Sequence, residues 1–265
     1  MRTRDFDVAS GEATLRVRMV EHDGSGDSRP TIVFLHDSLG CIALWRDFPE
    51  RLAAAAGCHA LVYDRRGYGE SSPFPDAPRT TTYLEEESDA LPPLLERCGV
   101  GDTILFGHSD GGSIALLAAA RHPVGVRAVV TEGAHVFVEE ITLEGIRAAR
   151  EALRTTPLRE RLARYHGART DGVTSAWIDT WLRPDFRDWN IERYLPRITA
   201  PVLVLQGVDD EFGSVAQVEA IVRGTGGAGE SFLIPGAAHT PHREATDVVL
   251  ATAVDFLRRH RIVDG

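Results

Sequence analysis

The run Gly107-His108-Ser109-Asp110-Gly111 constrains this chain more than any other stretch, because it links the apolar, β-branched run Thr103–Phe106 to the helix-forming run Ser109–Arg121. The pattern is G-x-S-x-G, with a strand before it and a helix after it. A serine hydroxyl attacks poorly in water, so a chain that uses one must hold it exposed, next to a base and near hydrogen-bond donors for the oxyanion. A sharp strand-to-helix turn provides that exposure. Such a turn strains the backbone at Ser109, and Gly107, Gly111 and Gly112 remove the Cβ atoms that would collide beneath it. A motif of five residues also arises by chance in a Gly-rich chain, so its context has to carry the reading.

The context is a strand-and-helix alternation. Phe6–Ala9 and Thr14–Val20 alternate around Ser10-Gly11 as a hairpin, and a loop over 22–30 follows. Thr31–Leu35 is a continuous apolar run of strand length, as expected of a strand covered on both faces. A helix near Leu44–Ala56 is followed by a strand at His59–Tyr63, a helix at Tyr83–Cys98 and, beyond the Ser109 motif, a strand at Arg127–Thr131. This order specifies a parallel sheet with right-handed crossovers. The alternation stops after Ala134, and 136–196 shows helical spacing and an aromatic segment with Trp177, Trp181, Phe186, Trp189 and Tyr194. It resumes with a strand at Pro201–Gln206, a helix near Ser214–Arg223, a strand at Ser231–Ile234 and a helix near Ala245–Arg259. The expected organisation is an α/β core of 1–135 and 197–265, with a helical lid of 136–196 inserted between two strands.

Loops at the carboxyl ends of parallel strands share one edge of the sheet. Asp210 follows the strand ending at Gln206, and His239 follows the strand ending at Ile234. The chain order is therefore Ser, Asp, His, which G-x-S-x-G requires in a sheet of this kind. His239 is expected to act as general base toward Ser109, with Asp210 fixing its tautomer. Two backbone N–H groups, of Asp110 and Ser38, are the expected oxyanion donors.

Composition narrows the function. A formal charge of −10 on 265 residues excludes nucleic acid and anionic membrane as expected partners. Cys41, Cys58 and Cys98 are odd in number and lack a C-x-x-C spacing, so neither a disulfide framework nor a structural zinc site is expected. No apolar run is long enough to be a signal peptide or a membrane span. A cytoplasmic enzyme acting on a small molecule, with no metal and no cofactor, is the expectation; a homodimer is left open.

His36-Asp37-Ser38-Leu39-Gly40, Asp64-Arg65-Arg66-Gly67-Tyr68-Gly69-Glu70-Ser71, Gly107–Gly112, Pro201–Asp210 and Ala238–Pro241 resemble the α/β-hydrolase superfamily, specifically its lidded branch of carboxylesterases, C–C bond hydrolases and lactonases. The resemblance spans nearly the whole chain. It implies an eight-stranded, mostly parallel sheet with helices on both faces, Ser109 as nucleophile, Asp210 in preference to Asp209 as acid, and His239 as base. It implies cleavage of an ester, thioester or lactone, with C–C hydrolysis of ring-cleavage products and a hydrolase-fold ligand receptor as alternatives. Two positions depart from the family pattern. Asp37 stands where glycine is usual, and Asp110 adds a second carboxylate beside the nucleophile. A bare carboxylate facing an oxyanion would repel it, so each is expected to turn away or to be held by donors. Asp37, His135, Trp177 and Trp181 are the candidate substrate contacts.

Overall fold

The computed structural model describes residues 1–22 and 29–264; most of the loop expected over 22–30 therefore lies outside the described residues. Eight strands form one sheet: β1 (Arg2–Ser10), β2 (Ala13–Glu21), β3 (Thr31–Leu35), β4 (His59–Tyr63), β5 (Thr103–His108), β6 (Val126–Glu132), β7 (Val202–Gly207) and β8 (Gly229–Ile234). Their order across the sheet is β1-β2-β4-β3-β5-β6-β7-β8. The β1–β2 hairpin turns at Gly11, whose φ of 59° suits glycine, and pairs antiparallel with β4; all later neighbours are parallel.

Strand β3 explains the layering. All five of its residues are buried, and successive side chains point to opposite faces. Val33 and Leu35 join a core containing α2 (Tyr83–Arg97), α3 (Asp110–Arg121) and α7 (Val215–Gly224), whereas Ile32 and Phe34 join one containing α1 (Phe48–Ala56) and α9 (Thr246–Arg259). Burying each such side chain contributes about 1.5–3 kcal/mol, so a continuous apolar run is what this two-faced position needs.

The boundaries differ from the sequence reading in several places. β1 begins four residues earlier than expected, its outer residues being exposed and supported by ion pairs such as Arg18–Asp5 at 2.8 Å. The helix expected from Leu44 is split into a 3₁₀ turn at Ile42–Trp45 and α1, with the break at Arg46, whose φ is 54°. A short helix α8 (Pro241–Glu244), absent from the sequence reading, follows His239 after the single residue Thr240.

The segment between β6 and β7 contains α4 (Glu140–Thr155), α5 (Leu158–His166) and α6 (Thr170–Trp181), then 3₁₀ turns. It has no strand beyond one isolated bridge, Phe137 to Asn190. His166 ties it to the core: Nδ1 accepts from the Gly69 N–H at 3.2 Å, and Nε2 donates to the Leu39 carbonyl at 2.9 Å. Arg169 adds hydrogen bonds to the carbonyls of Gly69 and Ser71. Among the described residues no helix is long and apolar enough to cross a membrane.

Candidate active site

Ser109 stands between β5 and α3 with φ 54° and ψ −120°, a conformation that L-residues adopt at a cost of about 1–3 kcal/mol when the surroundings enforce it. Close backbone approach does so here. A Cβ on Gly111 would run into the Leu35 carbonyl, and one on Gly107 into the carbonyl of Gly111. The Ser109 N–H donates to the Glu132 carbonyl at 2.8 Å, locking the turn onto the end of β6.

Asp210 and His239 meet across two other strand ends. Asp210 Oδ1 accepts from the N–H groups of Phe212 at 2.8 Å and Gly213 at 3.2 Å, and from His239 Nδ1 at 2.9 Å. Burial raises the carboxyl pKa, but the His239 hydrogen bond and charge and the Phe212 N–H outweigh it, and the net shift is downward. For His239 burial lowers the pKa, yet the hydrogen bond and charge of Asp210, with Glu211 and Asp37 further off, leave it above 6.5. With Nδ1–H committed to Asp210, the lone pair of the neutral ring is at Nε2.

His239 and Ser109 line a single cavity of about 170 Å³, together with Ser38, Asp110, Asp37, His135, Trp177 and Trp181. Of the expected catalytic, oxyanion and substrate-contact residues, Asp210 alone is absent from that lining, being bonded to His239 Nδ1. A larger cavity of about 810 Å³, bounded by Tyr83, Arg79 and α6, contains none of them; reactive groups rather than size identify the site.

The two unexpected carboxylates behave differently. Asp110 turns away from the cavity: its Oδ2 accepts from the Tyr83 hydroxyl at 2.9 Å and lies 3.9 Å from Arg65 Nη2. The same hydroxyl accepts from Trp181 Nε1 at 2.9 Å, so Trp181 is bound to this buried chain as well as lining the cavity. Asp37 has its backbone carbonyl engaged by His36 Nδ1 at 2.7 Å and Arg65 Nη2 at 2.9 Å. Among the described residues no donor reaches its carboxylate. His135 is fixed by donation from Nε2 to the Phe212 carbonyl at 3.1 Å, and burial holds its pKa below 6.5.

Three features of the site were not anticipated. His108 Nε2 donates to the His239 carbonyl at 2.7 Å. Glu132, wholly buried at the end of β6, bonds His242 Nδ1 at 2.7 Å, three residues along the chain from His239. Asp64 caps the first loops, accepting from the N–H groups of Ile42 at 2.6 Å and Glu70 at 2.7 Å. The available signals were a charged residue ending an apolar strand at Glu132 and a second histidine three places after His239. The three cysteines are free thiols, with Cys41 and Cys58 buried. Among the described residues no group of three or more His, Cys, Asp or Glu side chains is arranged to hold a metal ion.

Residues 30–194 match the sequence profile of the alpha/beta hydrolase fold. The chain belongs to the α/β-hydrolase family. It is 31% identical over 205 residues to the serine hydrolase BPHL of Homo sapiens, covering 75% of this chain and 69% of that one. A 2-(acetamidomethylene)succinate hydrolase of Mesorhizobium japonicum is 30% identical over 141 residues, 53% of this chain and 46% of the relative. Among solved structures, the proline iminopeptidase of Mycobacterium smegmatis superposes with a TM-score of 0.73 over 97% of this chain and 98% of that one, at 19% identity. E-2-(acetamidomethylene)succinate hydrolase does so with a TM-score of 0.73 over 97% and 99%, at 23% identity. At those identities the likeness concerns the fold. This α/β-hydrolase therefore shares its architecture with known hydrolases from end to end.

Proposed function

We propose that this α/β-hydrolase is a serine hydrolase that cleaves a small ester, thioester or lactone through an acyl-enzyme. The observation that carries the reading is the 2.9 Å Asp210–His239 hydrogen bond, which orients an imidazole at the cavity that Ser109 also lines. In the first step His239 Nε2 takes the Ser109 proton as Oγ attacks the acyl carbon, and the carbonyl π electrons move onto oxygen. The N–H groups of Asp110 and Ser38 donate to that oxyanion. Collapse expels the leaving group, which takes the proton from His239. A water molecule then repeats the sequence on the acyl-enzyme, releasing the acid and restoring Ser109. Asp210 remains ionised throughout and stabilises the imidazolium.

Residues 136–196 act in this reading as a lid over the core of 1–135 and 197–265, and their Trp177 and Trp181 form the apolar wall for the acyl group. A cavity of about 170 Å³ favours a short acyl chain. The test is a panel of p-nitrophenyl esters of increasing acyl length, with thioesters and lactones, assayed on the native chain and on Ser109→Ala. Short acyl groups should turn over fastest, and the substitution should cost on the order of 10⁴ or more in kcat. Undiminished turnover by Ser109→Ala would overturn the reading.

A further inference from the structure

Beside the catalytic cavity lies a second chamber of about 190 Å³, and the two share Asp37, Leu39, His108 and Thr240. We propose that this chamber receives the leaving group and that Asp37 selects leaving groups carrying a positive charge. The proposal rests on the hydrolytic reading above and adds the chemistry of the alcohol or thiol side.

The carboxylate of Asp37 is the observation that carries it. The backbone of Asp37 is held by three hydrogen bonds to its carbonyl, from His36, from Arg65 and from the Gly40 N–H at 3.2 Å. Its side chain folds back over Gly40, where any Cβ would collide with Oδ1, yet it forms no hydrogen bond and no ion pair. The buried guanidinium of Arg65 thus bonds the main chain of Asp37 and not its carboxylate. Neither carboxylate oxygen accepts a hydrogen bond from a described residue, so both can take donors that a ligand brings.

The chamber's three histidines do not supply a charge. His36 donates from Nδ1 to the Asp37 carbonyl and accepts at Nε2 from the Arg65 N–H at 3.1 Å, so both nitrogens are committed in the neutral ring. His108 donates to the His239 carbonyl, and His242 is paired with Glu132. Arg243 also lines the chamber, but it is exposed and forms no ion pair with Asp37, while Leu44, Trp45 and Leu162 make much of the remaining wall apolar. At the end shared with the catalytic cavity, beside Leu39, His108 and Thr240, the charged side chain is Asp37, which is complementary to an organic cation.

The location identifies the leaving group rather than the acyl group. Thr240, shared by both chambers, adjoins His239, the group that returns a proton to the departing atom. Ile146, Trp177 and Trp181 line only the Ser109 side, where the acyl chain belongs.

The experiment compares two esters of the same short acid that differ in charge but hardly in shape, the 2-(trimethylammonio)ethyl and 3,3-dimethylbutyl esters. The readout is the ratio of their kcat/KM values in the native chain, in Asp37→Asn and in Asp37→Glu, at low and high salt. The native ratio should favour the cation by about tenfold at low salt and decline as salt screens the pair. Asp37→Asn should bring it toward one, and Asp37→Glu should retain a preference. A native ratio near one, an unchanged ratio in Asp37→Asn, or a preference appearing only when the cation is moved to the acyl side would overturn the proposal while leaving the hydrolase reading intact. Failure to hydrolyse either ester, together with no fluorophosphonate labelling of Ser109, would overturn both.

Discussion

The imidazole of His108, one residue before the proposed nucleophile Ser109, donates from Nε2 to the main-chain carbonyl of His239, the proposed base, at 2.7 Å. One hydrogen bond thereby ties the turn that presents Ser109 to the loop that presents His239, although the two come from different strands of the sheet. Burial lowers the His108 pKa to about 4, so it remains a neutral donor across the working range. In the proposed mechanism His108 is a positioning residue, because it fixes the loop that carries His239.

His108→Phe should therefore lower kcat by about 10–100-fold, since a displacement near 1 Å is sufficient for such a loss. His108→Gln, which can still donate, should recover part of it. Steady-state kinetics beside thermal unfolding separates this from a folding defect: the two variants should differ in kcat more than in midpoint.

Gly133 offers a second route to the same displacement. Its φ is +54°, and a Cβ there would lie 2.8 Å from His239 Cε1 and 3.3 Å from Asp210 Oδ2. Gly133→Ala should push the imidazole out of line and cut kcat by about 10²-fold, with KM altered less. A crystal structure of the variant should show a rotated or shifted His239.

The pH profile follows from the charge state of the base. His239 must be neutral to accept the Ser109 proton, and burial, which lowers its pKa, is outweighed by the Asp210 hydrogen bond and charge, leaving it above 6.5. Activity should thus be lost as pH falls through that raised value, with kcat/KM rising along a single-proton curve toward alkaline pH. Asp210→Asn should lower kcat by about 10⁴ and move the remaining titration to lower pH.

Glu132 and His242 should govern stability rather than rate. Burial raises the Glu132 pKa from 4.5 to about 8, so the folded chain holds that proton more tightly than the unfolded one, and this contribution is lost as pH rises toward 8. Burial lowers the His242 pKa from 6.5 to about 3, so its contribution runs the opposite way and is lost as pH falls toward 3. The two slopes offset one another between 4.5 and 6.5, leaving the carboxyl slope alone above 6.5. Urea unfolding from pH 6.5 to 8 should show declining stability in the native chain and a flatter line in Glu132→Gln.

The parts legible in the sequence were those set by period and punctuation. Thr31–Leu35 reads as a doubly covered strand because nothing polar interrupts it, and Gly107, Gly111 and Gly112 announce a crowded turn. The candidate triad was legible because Asp210 and His239 each follow a recognisable strand. What escaped were relations between loops. Nothing local in His108 specifies that its ring reaches a carbonyl 131 residues later. Glu132 reads as the polar end of a strand until the fold buries it against His242. Asp110 and Asp37 look alike in sequence, yet Tyr83 and Arg65, brought together by folding, engage one carboxylate and only the backbone of the other.

The central claim is that the hydroxyl at residue 109 is the activated nucleophile, and covalent labelling tests it most directly. The native chain should react with a fluorophosphonate at one site, mapped by peptide mass spectrometry to Ser109, while Ser109→Ala should not react and His239→Ala should react far more slowly. Stoichiometric labelling at another residue, or undiminished labelling of Ser109→Ala, would contradict the account.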